Sequence, residues 1–172
     1  MSAIISACQQ GEIDAEVRAV VAPKPDLDSV DIARSLGVTV AIMPPTAENY
    51  GEALLKALEG CDLLCLAGYL RLLPAEVQKA FPNRILNVHP SLLPKFGGKG
   101  MYGLRVHEAV LAAGETESGA TVHWVSENYD EERILVQRRC PVLPDDGPES
   151  LAERVLAQEH LAYIEALRKV IG

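Results

Sequence analysis

The sequence predicts an α/β fold: an open, mostly parallel sheet with helices on both faces and a late antiparallel strand pair. Three observations carry this. Short β-branched runs alternate with amphipathic stretches, and Pro or Gly marks most of the junctions. The run Leu63-Leu-Cys-Leu-Ala67 is wholly apolar, as suits a parallel strand covered on both faces. Two late strand-like segments, 121–125 and 134–142, lie close enough to pair antiparallel through the connection 126–133.

In chain order, 2–9 reads as a helix with Ala3, Ile4, Ala7 and Cys8 on one face, and 17–22 as a strand. A helix over 27–36 closes at Gly37, since the residue just past a helix end often needs left-handed backbone, which glycine adopts freely. A strand over 38–42, a helix over 48–58 and the apolar strand over 62–67 follow. Pro74 opens a further helix, 84–89 is a strand, 90–103 a loop and 104–113 a helix. The last helix opens at Pro148, whose fixed φ suits a first turn. It is expected to turn Leu151, Val155, Leu156, Tyr163, Ile164, Leu167 and Ile171 inward. No repeat, low-complexity tract or linker divides the chain, so 1–172 is expected to form a single domain.

The chain carries 16 Lys+Arg against 24 Asp+Glu, a net charge of −8. Phosphate backbones and anionic membranes are bound mostly by basic residues, so this balance argues against both as partners. Small-molecule substrates are expected instead. No apolar run approaches the roughly 20 residues of a membrane helix, and the start lacks a basic segment followed by a long apolar one. A cytoplasmic location is therefore expected. Cys8, Cys61, Cys65 and Cys140 show no C-x-x-C spacing, which fits a reducing compartment. Within one strand Cys61 and Cys65 stand roughly 13 Å apart, too far to share a metal, so packing is their expected role.

The densest chemical signal is Ile85-Leu-Asn-Val-His-Pro-Ser-Leu-Leu-Pro94. It puts Asn87 and His89 on one face at the carboxyl end of a strand, where open α/β sheets bind ligands. An amide donor beside an imidazole there reads either as an oxyanion-stabilising pair or as a satisfied histidine beside a structural asparagine. Asp130, in the connection between the late strands, reads either as a carboxylate that orients a histidine or water or as part of a solvated acidic loop. His123 is a second site histidine or a core histidine with a backbone partner. His107 and His160 fall in helices without H-E-x-x-H spacing, so no zinc site is expected, and His107 is expected at the surface or facing a loop. Gly97, Gly98, Gly100 and Gly103, near Lys95 and Lys99, form a flexible loop with no Walker A frame.

Leu86-Asn-Val-His-Pro-Ser-Leu-Leu-Pro-Lys95, Gly119-Ala-Thr-Val-His-Trp-Val125 with Asp130, and Ala157-Gln-Glu-His160 together resemble the glycinamide ribonucleotide transformylases. Ala3-Ile-Ile-Ser-Ala-Cys8 and Leu66-Ala-Gly-Tyr-Leu-Arg-Leu-Leu-Pro74 extend the likeness over essentially the whole chain. N-x-H-P-S-L-L-P alone marks the wider folate-dependent formyltransferase superfamily, and the short length and A-Q-E-H helix narrow it. The resemblance implies an open Rossmann-like sheet and formyl transfer from 10-formyltetrahydrofolate to glycinamide ribonucleotide, in purine synthesis and without a metal. It implies Asn87, His89 and Asp130 as the catalytic trio. Leu70, Arg71 and Leu72, with Asn87, Ser126 and Asp130, are implied to hold the folate, and Glu159 and His123 to meet the ribonucleotide. The enzyme is expected as a monomer or homodimer.

Two departures from the family pattern shape further expectations. Family members usually begin with an apolar strand and a Gly-Ser-Asn-rich phosphate loop, whereas Met1 stands where the first helix has already begun. The first strand and phosphate loop are thus expected to be missing, with weak ribonucleotide binding as the consequence. Asp130-Glu-Glu-Arg133 replaces the usual Asp-Gly-Gly-Pro, which implies a different turn beside Asp130. Two other activities compete: hydrolysis of the formyl folate or formylation of another amine, and a non-catalytic folate-binding role.

Overall fold

The computed structural model describes residues 1–125 and 133–172. Among these residues the chain order is α1 (Ser2–Gln9), β1 (Ala19–Ala22), α2 (Asp28–Ser35), β2 (Thr39–Ile42), α3 (Tyr50–Ala57) and β3 (Leu64–Leu66). The second half follows with α4 (Ala75–Ala80), β4 (Ile85–His89), α5 (Leu104–Ala112), β5 (Glu117–Trp124), β6 (Arg133–Pro141) and α6 (Pro148–Ile171). The α/β class and the element order agree with the sequence reading. Gly37 takes φ +75° just past α2, as a helix-ending glycine should. Cys61 precedes the short β3 instead of lying in it, and both Cys61 and Cys65 are partly buried against the core.

The sheet stands in two pieces. β1 pairs parallel with β2, and a four-stranded piece runs β3-β4-β5-β6. β3 and β4 are parallel, while β4–β5 and β5–β6 are antiparallel, so the antiparallel part begins one strand earlier than the late pair alone. β1 and β3 each keep one edge without a strand partner among the described residues. Both line one cavity of about 1250 Å³, which also takes in Met1, Ile4 and Ile5 of the first helix region.

Helices cover both faces because alternate strand residues point opposite ways. Leu86, Val122 and Val136 face α1 and α6, where they pack with Ile4, Ala7, Ala162, Tyr163, Ala166 and Leu167. Ile85 faces the other way, into Tyr50, Leu54, Leu58, Leu73, Val77 and Phe81 from α3, α4 and their flanks. The buried Tyr163 hydroxyl lies 3.0 Å from the carbonyl oxygens of both Leu66 and Leu86, which ties α6 to β3 and β4. Two of the residues expected inward on α6 are not. Leu156 and Ile171 face solvent, and the buried stripe is Leu151, Val155, Ala162, Tyr163, Ala166 and Leu167. Helix phase explains Leu156, which directly follows the buried Val155, about 100° further round the helix, whereas Ile171 shares the Leu167 side and is exposed as the last residue of α6.

Candidate functional site

The carboxyl end of β4 gathers the site. Asn87 and His89 project from one face of this strand, with His123 and Thr121 directly opposite them on β5. All four sit on the face away from α6, because Leu86 and Val122 take the α6 side.

Directional hydrogen bonds fix the polar groups. Asn87 Nδ2 lies 3.1 Å from His123 Nε2, and His123 Nδ1 lies 3.3 Å from the Trp124 carbonyl. A carbonyl only accepts, so the network assigns the ring proton to Nδ1 and leaves Nε2 as an acceptor for the Asn87 amide. Burial lowers the His123 pKa, with the Trp124 carbonyl pulling weakly the other way, and this keeps the ring neutral. His123 therefore holds the Asn87 side chain with its NH₂ toward the ring. His89 is oriented by the same logic. Its Nε2 lies 2.8 Å from the Phe96 carbonyl, so Nε2 carries a proton.

The loop that supplies Phe96 is itself pinned. The buried Thr121 hydroxyl donates to the Ser91 carbonyl at 2.6 Å and accepts from the Leu93 amide at 3.1 Å. Gln137 Nε2 donates to the Leu93 carbonyl at 2.8 Å and to Thr121 Oγ1 at 3.0 Å. Ser91 Oγ closes the turn onto the Lys95 carbonyl at 2.7 Å, and Lys95 pairs with Glu115 at 2.8 Å. The chain is thus anchored from 91 to 96 before the glycine-rich stretch begins. Sequence reasoning missed that Thr121 and Gln137 anchor this loop. Period-two alternation on β5 was the available signal.

The other expected site residues fall in separate places. Leu70, Arg71 and Leu72 are exposed, and Leu70 and Arg71 form part of the lip of the large cavity beyond β3. Glu159 sits on α6, partly buried, among groups that include the Met1 ammonium. Burial pushes its carboxyl up to about 7 against the pull of that ammonium. Ser126 and Asp130 lie outside the described residues. His107 is a correction. Instead of lying at the surface it is 4% exposed, because Val106, His107 and Val110 form the buried stripe of α5. Among the described residues, no group of three His, Cys, Asp or Glu is placed to hold a metal ion.

A hydrogen-bonded amide and an imidazole at a strand end can stabilise a developing oxyanion and handle a proton. The comparisons with known proteins bear on which reaction uses them. The formyl transferase family model matches residues 1–167. The chloroplastic phosphoribosylglycinamide formyltransferase of Arabidopsis thaliana is 44% identical over 167 residues, covering 93% of this chain and 57% of the plant protein. The phosphoribosylglycinamide formyltransferase of Escherichia coli (strain K12) is 33% identical over 169 residues, covering 95% of this chain and 77% of the bacterial one. The crystal structure of the Brucella melitensis phosphoribosylglycinamide formyltransferase superposes with a TM-score of 0.89 at 39% identity. That match covers 100% of this chain and 89% of the other. The chain spans about half the length of the plant relatives, 57% and 54%.

Proposed function

The chain belongs to the formyl transferase family, and from that premise we propose that it transfers the formyl group of 10-formyltetrahydrofolate to the primary amine of glycinamide ribonucleotide, in purine (IMP) biosynthesis. The amine nitrogen attacks the formyl carbon and a C–N bond forms, which drives charge onto the formyl oxygen. Asn87 meets that oxyanion with the second N–H of the amide that His123 holds in place. His89 meets it from Nδ1. Because the Phe96 carbonyl takes the Nε2 proton, the ring donates from Nδ1 only as the imidazolium. Asp130 stabilises that cation and relays the amine proton through water to the departing folate nitrogen as its bond to the formyl carbon breaks.

The folate lies against Leu70, Arg71 and Leu72, with Asn87, Ser126 and Asp130 completing its site, and Glu159 and His123 serve the ribonucleotide. No metal takes part in this scheme. Residues 1–172 act as one formyltransferase domain, as a monomer or homodimer in the cytoplasm. β1 and β3 each keep an edge without a strand partner among the described residues, and both line one cavity.

The observation that carries the proposal is the chain from Trp124 through His123 to Asn87, because it fixes the amide as a donor at the strand end. His89→Ala tests it. Folate binding should persist while turnover falls by about 10²–10⁴. Turnover unchanged in the variant contradicts the assigned role.

A further inference from the structure

Among the described residues two non-glycine residues hold a positive φ, Asn83 and Phe96, each at +56°. Asparagine visits this left-handed region readily. Phenylalanine does not: its Cβ crowds the backbone there, so an aromatic residue keeps that conformation only when its surroundings hold it. Glycine would relieve the crowding, and the chain supplies glycine at the next two positions, with Gly98 at φ +89°. The bulky residue stands instead at 96, where its carbonyl oxygen lies 2.8 Å from His89 Nε2.

Phe96 is held on both sides of its N–Cα bond. On the amino side, Ser91 Oγ donates to the Lys95 carbonyl at 2.7 Å and fixes the peptide plane that leads into Phe96. The Lys95 ammonium is held in turn by Glu115 at 2.8 Å. On the other side, the partly buried Phe96 side chain packs against the core cluster that includes Val110 and Ala120. With that peptide plane fixed, returning φ to the usual negative range turns the carbonyl carbon and Cβ together by roughly 120°. The carbonyl then leaves His89 and the side chain leaves the core.

We propose that Phe96 is a positioning residue for formyl transfer: its left-handed backbone aims its carbonyl at His89 Nε2 and so fixes the imidazole in one tautomer and one orientation. This rests on the reading of His89 as an oxyanion donor. Because the contact is made to the ring and to neither substrate, its loss acts on the chemical step more than on binding.

The test sets backbone tolerance against packing, since the two rank the same substitutions in opposite orders. Phe96→Gly and Phe96→Asn accept the left-handed backbone and give up the ring, whereas Phe96→Val keeps an apolar side chain and resists that backbone. The glycine and asparagine variants should keep kcat within about threefold of the parent, and the valine variant should lose about tenfold to a hundredfold. KM for both substrates should stay within about twofold throughout. A folded valine variant that equals the parent, or that exceeds the glycine and asparagine variants in kcat, overturns the proposal. Should the valine variant not fold, Phe96→Ala is compared with Phe96→Gly, which differs from it by one Cβ. Glycine should retain the higher kcat, and equality overturns the proposal. The orientation is read independently by NMR of the His89 ring nitrogens at a pH where the ring is neutral. The Nε2-protonated tautomer should dominate in the parent and in the glycine and asparagine variants, and should lose that dominance with valine or alanine. A ring state that is the same in every variant overturns the proposal. If the parent shows no formyl transfer while the tautomer follows this order, the assigned reaction fails and the positioning of the ring stands.

Discussion

At Asn87 the difference between a structural amide and a working one lies in which end faces His123. Trp124 decides it, because its carbonyl draws the His123 proton to Nδ1 and leaves Nε2 to accept from the amide. In the proposed mechanism Asn87→Ala removes one oxyanion donor, and kcat should fall by about 10²–10³, measured beside an unchanged circular-dichroism spectrum. A loss under threefold contradicts the role. Glu159 makes a second prediction at this scale. Its carboxyl, raised from 4.5 to about 7, holds its proton more tightly in the folded chain than in the unfolded one. The stability this supplies is complete below about pH 4.5 and disappears as pH rises through about 7. Urea unfolding across that window should show a decline on the order of 1–3 kcal/mol that Glu159→Gln flattens. An equal decline in the variant assigns it to other groups. Asn87 and His89 were legible because strand alternation puts residues two apart on one face. The burial of His107 was less so, since Arg105 and Glu108 flank it, although Val106, His107 and Val110 fall within an arc of roughly 100° on a helix.

Among the elements, β5 does most to shape the site, because it presents His123 and Thr121 to β4 while packing Ala120 and Val122 beneath α6. Its first half was not legible. Glu117-Ser-Gly-Ala has little strand propensity, and pairing with β6 along the whole length overrides it. Gly119 has a specific reason to be glycine: a Cβ there would fall on the Arg138 carbonyl of β6. The loop from Ser91 to Phe96 depends on Thr121 in turn. Thr121→Val keeps the shape and strips the hydroxyl, which leaves the Ser91 carbonyl and Leu93 amide without that partner. This should cost about 2–3 kcal/mol in urea unfolding and reduce kcat through His89, whose ring rests on Phe96. A cost under about 0.5 kcal/mol means that the loop is held by other contacts. The long α6 was legible in extent and opening residue, while its inward face was misread at Leu156, because apolar character alone does not give helix phase, and at Ile171, which ends the helix.

For the molecule as a whole, the α/β order was readable from periodicity, and strand pairing was not. Periodicity reports burial on each element but carries no information about which edge meets which. The result is a sheet in two pieces, with edges on β1 and β3 that have no strand partner among the described residues and that line one cavity. Amides on those edges should exchange with solvent deuterium much faster than those of β4 and β5, which are paired on both sides. Equal protection across all four strands contradicts an open cavity. The central claim concerns the reaction, and the most direct measurement is folate product release from 10-formyltetrahydrofolate by the 172-residue chain, with and without glycinamide ribonucleotide. The account predicts release that requires the amine and collapses in His89→Ala. Release at the same rate without the amine contradicts it and makes the chain a hydrolase of the formyl folate.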